Sequence, residues 1–281
     1  MARKASASVS AFFLRGRERG LILAALAACV VLAWAYLFAE TQRMAAMSEA
    51  TAGVDMASMA MPRIAPWSLG DWLMMLVMWA IMMVGMMLPS ATPAILLYAK
   101  VAARQRAKVR AGAAAVEPIA PTTLFVAGYL MAWTGFSIAA TALQHALERV
   151  ALLTPEMAVS GEAAGGLILV WAGAYQFTAL KNRCLEHCRS PVEFLSRHWR
   201  RGALGAAGMG IRHGAYCVGC CWALMALLFV GGVMNLLWVT AIAVFVLAEK
   251  CLPGGIAIRR VGGSALIVWG LWTLAHAAAA A

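Results

Sequence analysis

Cys217, Cys220 and Cys221 bring three of the chain's seven thiols into one short stretch, with His213 four residues ahead and Met225 four residues beyond. On a helix, residues four apart share a face, so His213, Cys217, Cys221 and Met225 form a column with Cys220 beside it. Imidazole, thiolate and thioether together are a soft donor set that suits Cu(I) best, with zinc or an iron–sulfur centre as the other possibilities. Cysteine also packs as a small hydrophobe, and Cys29 taken alone reads that way. Clustered Cys and His point instead to metal or redox chemistry, although the two-pair spacing of a zinc ribbon is absent.

A second thiol pair, Cys184 and Cys188, is one helical turn apart with His187 close by. Lys181, Arg183 and Arg189 surround it in sequence and are expected to favour the thiolate that binds metal or attacks a disulfide. If the chain brings this pair to the same end as His213 and Cys217, a composite site results. Cys217 and Cys220 also have the two-residue gap of thiol–disulfide exchangers, which gives the redox alternative.

Methionine supplies further soft donors. Met44, Met47, Met56, Met59 and Met61 fall in a polar connection, and Met74, Met75, Met78, Met82, Met83, Met86 and Met87 follow in an apolar run. Met75, Met78, Met82 and Met86 take three- and four-residue steps and line one stripe of a helix. Thioethers select Cu(I), but methionine is also the adaptable filler of apolar cores. Pro89 and Pro93 at the end of that run predict a kink or unwinding. His145 and Glu148 offer an intake point or simply a solvated rim, and Glu249 with Lys250 reads as an interfacial pair.

The elements that must position these groups follow from composition. A chain of 281 residues that is 63% hydrophobic and 12% charged is not a soluble domain, in which about a quarter of residues are charged. The expected fold is an all-α, polytopic membrane helix bundle of about seven transmembrane helices, each needing about 20 apolar residues. Residues 1–20 form a basic N-terminus, 21–39 a first span and 40–66 a Met-rich outer loop. Residues 67–252 hold five further spans around a Cys/His loop at 181–213, and 253–281 hold a last span and tail. This scheme puts every Lys and Arg except Arg43, Arg63 and Arg149 on the cytoplasmic side, with the N-terminus inside and the C-terminus outside. The net charge of +11 is thereby assigned to topology, and no nucleic-acid partner is expected.

Three stretches together resemble a known family. They are Met78–Ser90, then Gly173–Thr178 with Lys181, Cys184, Cys188, Arg189, Ser190 and Pro191, then His213–Trp222. The resemblance, over about residues 67–252, is to a bacterial family of unknown function described as predicted metal-binding integral membrane proteins. It implies a multi-pass protein of the bacterial inner membrane and no defined reaction.

The leading expectation is therefore a non-enzymatic membrane protein that moves Cu(I) between the Met-rich outer face (Met75, Met78, Met82, Met86) and an inner site. The inner donors are Cys184, His187, Cys188, His213, Cys217, Cys220 and Cys221. The alternatives are a membrane thiol–disulfide oxidoreductase, or a metallochaperone that serves a partner copper enzyme or exchanges with a soluble metallochaperone.

Overall fold

The computed structural model describes residues 16–51, 67–109, 119–154 and 157–280. Its helices are α1 (Gly16–Thr51), α2 (Leu69–Val109), α3 (Ile119–Arg149), α4 (Glu162–Tyr175), α5 (Ala179–Arg189), α6 (Pro191–His198), α7 (Gly202–Ala226), α8 (Leu228–Gly231), α9 (Leu236–Cys251) and α10 (Gly255–Ala279). Among the described residues the extended pairing is confined to one bridge, Leu153 with Val159. The fold is all-α.

Five helical stretches are long and apolar enough to cross a membrane: Gly16–Ala46, Leu69–Gln105, Pro121–Arg149, Gly202–Gly231 and Gly255–Ala279. A sixth arises if α4 and α5, bent by 64° at a short break, count as one broken span. Seven were expected; the difference lies in α9, which has 16 residues. Large apolar side chains such as Leu204, Leu237, Val261 and Val268 face outward, an exterior compatible with insertion into lipid.

Several boundaries differ from the sequence reading. α1 continues through Thr51, so Met44 and Met47 ride on a helix; Met56, Met59 and Met61 lie outside the described residues. α2 runs unbroken through Pro89 and Pro93. The expected unwinding is not seen there. Residues 181–213 do not form a loop. Thr178 caps α5 by accepting from the Lys181 backbone N–H at 3.2 Å, Pro191 opens α6, and α7 begins at Gly202, more than three turns before Gly214. Proline at a first helical position costs no hydrogen bond, because that N–H has no partner inside the helix.

Helix contacts are made by small residues. α3 lies along α7, and α4 along α10. A methyl group added at Gly210 would overlap the Phe125 carbonyl, and one at Gly128 would overlap that of Ala207. Such close backbone approach is how helices associate where lipid removes the usual hydrophobic drive. The result is an interior holding Trp79, Trp133, Tyr129, Phe125 and Met82, Met83, Met86 and Met87, all 2% exposed or less.

Candidate metal centre

The α3–α7 contact sets Tyr129 of α3 against Cys217 of α7, with 3.1 Å between the hydroxyl oxygen and the sulfur. The same hydroxyl donates to the Met87 carbonyl of α2 at 3.2 Å. From α9, Lys250 reaches in and its ammonium nitrogen donates to the Cys217 sulfur at 2.9 Å and to Ser90 Oγ at 3.4 Å. Lysine offers donors and no acceptor, so this sulfur is the acceptor of the pair. A buried cation beside a sulfur is satisfied best when that sulfur carries negative charge.

Around Cys217 the other thiols converge in part. Cys220 and Cys221 have sulfurs 3.3 Å apart, and Cys188 on α5 brings its sulfur to 3.9 Å from that of Cys220. Both separations are less than twice the ~2.3 Å metal–thiolate distance known for zinc, so either pair can share one ion after small side-chain rotations. Among the described residues, no group of three or more His, Cys, Asp and Glu side chains is already arranged to hold a metal.

Each expected donor has a definite place. Cys184 is buried and faces Gly219, where an added side chain would meet its sulfur at 2.8 Å. No hydrogen-bond contact joins it to Cys220. His213 is 2% exposed and sits among the rings of Phe125, Tyr129 and Phe194 at centroid distances of 6.0, 5.9 and 5.2 Å. Its Nδ1 atom has no hydrogen-bond partner, an arrangement that leaves a lone pair or a proton unspent. His187 turns away from the thiols: it stacks on Tyr216 at 4.1 Å, and its Nδ1 lies 2.7 Å from the Arg183 carbonyl. Met225, Met78, Met82 and Met86 are buried, and Met75 is half-buried.

The cations near Cys184 and Cys188 do other work than expected. Lys181 is fully buried in an ion pair with Glu249, at 2.8 Å to Oε1 and 3.0 Å to Oε2. Arg189 donates to the carbonyls of Glu249, Leu252 and Pro253, tying α5 to the end of α9. The two residues read as one interfacial pair, Glu249 and Lys250, are in fact separated: the first serves Lys181 and the second serves Cys217. Neighbours on a helix point about 100° apart, so adjacency in sequence could have warned against pairing them.

An all-helical bundle with span-length apolar helices and buried thiols gathered beside one lysine defines a class of helical proteins suited to holding a soft ion. Residues 76–273 match the family model described as PpoB2, copper chaperone, and the chain belongs to that family. No curated protein and no solved structure matches it. Family membership supports a role in copper handling.

Proposed function

We propose that this protein is a multi-pass inner-membrane copper chaperone that holds Cu(I) between Cys217, Cys220, Cys221 and Cys188, near the cytoplasmic face, and exchanges it with a Met-lined route along α2. The observation that supports this most directly is the meeting of α5, α7 and α9 at Cys220 and Cys217, with thiol separations of 3.3 and 3.9 Å and a lysine on the sulfur. Cu(I) held by two thiolates carries one net negative charge, which Lys250 would neutralise away from water. Cys184, His187 and His213 are then flanking groups, with His213 the nearest candidate for a further donor because it shares the Cys217 face.

A Met-lined route is supported by the spacing of the methionines along α2. Met75, Met78, Met82 and Met86 descend one stripe of that helix, and it comes up to the thiols where Tyr129 donates to the Met87 backbone carbonyl and meets the Cys217 sulfur. Steps of three or four residues are about 4.5–6 Å along a helix, short enough for ligand-by-ligand exchange. The cargo goes to a partner copper enzyme or to a soluble metallochaperone.

The oxidoreductase reading is weaker for a physical reason. Cys217 is 2% exposed and Cys220 and Cys221 are fully buried, and exchange with a partner requires a reachable sulfur.

Copper content of the full-length protein purified anaerobically in detergent tests the proposal. Wild type is expected to retain copper, and a variant with Cys188, Cys217, Cys220 and Cys221 all replaced by serine is expected to lose most of it. Such a variant keeping its copper, or a metal-free wild type that forms a mixed disulfide with a partner, would sink the idea.

A further inference from the structure

A second meeting of sulfurs lies at the other end of α3. The side-chain nitrogen of Gln144 is 3.5 Å from the Met75 sulfur, 3.2 Å from the Met157 sulfur and 3.0 Å from Glu148 Oε1. The oxygen of the same amide accepts from Trp79 Nε1 at 2.8 Å. An indole N–H can only donate, so the amide oxygen must face Trp79 and the NH₂ must face the sulfurs. That NH₂ has two hydrogens, yet three electron-rich atoms crowd it. The spot is over-supplied with acceptors.

The backbone adds an independent sign. Met157 adopts φ of 58°, in the left-handed region that a non-glycine residue enters only at a cost of about 1–3 kcal/mol. The turn that imposes this is held by the Leu153–Val159 bridge, by Met157 N–H donating to the Thr154 carbonyl at 2.9 Å, and by Val159 N–H donating to the Phe229 carbonyl at 2.7 Å. What the strained residue contributes is an inward thioether, itself only 9% exposed. Three separate pieces of chain, α2, α3 and this turn, thus aim soft or anionic acceptors at one buried point.

We propose that Met75 and Met157 form a dedicated Cu(I) site in which the ion takes the place of the Gln144 amide hydrogens between the two thioethers. The inference rests on the copper-handling reading above and names where the sulfur route starts. Two neutral thioethers leave the ion its single positive charge, and the Glu148 carboxylate beside them balances it. Trp79 retains the amide oxygen as Gln144 yields the sulfurs. The ion then stands at the head of the Met75, Met78, Met82, Met86 stripe, about 18 Å along α2 from Met87 at ~1.5 Å per residue.

The test is an anaerobic Cu(I) titration of full-length protein in detergent against a chromophoric chelator, performed in a background in which Cys188, Cys217, Cys220 and Cys221 are all replaced by serine, because Cys188 and Cys220 could otherwise still share an ion. Neutral thioethers hold copper more loosely than thiolates, so this site empties during purification but fills in titration. The background variant is expected to take up Cu(I), and adding Met75→Leu with Met157→Leu to weaken that uptake at least tenfold. Methionine-to-leucine changes conserve volume and usually cost under about 1.5 kcal/mol, so the bundle should fold; where the double change does not, Met75→Leu alone gives the same reading. Uptake unchanged by the leucines, or none in the background variant, overturns the thioether site. Copper retained by wild type and lost from the cysteine variant would still uphold the thiol site, so the two readings fail separately.

Discussion

Replacing Lys181 with methionine should destabilise the protein by about 3–5 kcal/mol, the cost of leaving one member of a buried ion pair without its partner. Lys181 is 0% exposed and Glu249 1%, and among the described residues no second cation is paired with that carboxylate. The loss should appear as a lower unfolding temperature in detergent. Adding Glu249→Leu removes the stranded charge, and the double variant should recover most of the stability, since apolar replacements of buried pairs are often neutral. A Lys181→Met protein that melts with wild type would show that water reaches Glu249. The pair matters to the site because it clamps α5, the carrier of Cys188, to α9, the carrier of Lys250.

Gly210→Ala is the second change expected to act strongly. Its added methyl would overlap the Phe125 carbonyl, and overlap with backbone cannot be relieved by a rotamer change, so α3 and α7 must separate. Overpacking typically costs 1–3 kcal/mol, and this position should fall near ~3. Separation also draws the Tyr129 hydroxyl away from Cys217, about two turns further along α7. The variant should therefore lose copper on purification as well as stability, whereas Gly208→Ala on the open side of the same helix, where nothing lies within 4 Å, should do neither. Equal behaviour of the two would refute the close-packing argument.

The helices and the thiol column could be read from the sequence because both depend on local spacing. Composition gave the all-α apolar bundle, and four-residue steps put His213, Cys217 and Cys221 on one face, all now buried. What could not be read was pairing across the bundle. The roughly 100° between neighbours on a helix argues locally against pairing Lys250 with Glu249, but which helices they meet, α7 for one and α5 for the other, is set across the bundle. Lys181 and Arg189 were assigned to the adjacent thiols on proximity in sequence, when each had a stronger partner far away. Residues 181–213 looked like a loop because their charge hid a helical pattern: Lys181 is buried as a pair, and α7 starts with small residues that carry little hydropathic signal. Met157 carries no signal in the sequence, since a single methionine in a short turn has no periodicity to reveal that it points inward.

The half-buried position of Cys188 has a kinetic meaning. Cys217, Cys220 and Cys221 lie beneath α5, and the sulfur nearest the surface is the one that α5 itself carries. On the proposed function, an acceptor docking from outside would meet that outermost thiol first, and unloading the inner three would wait on a fluctuation of one eleven-residue helix. Motions of that kind run on microsecond to millisecond timescales. Dwell time of the cargo would then be governed by how often this flap lifts and not by how quickly a recipient arrives.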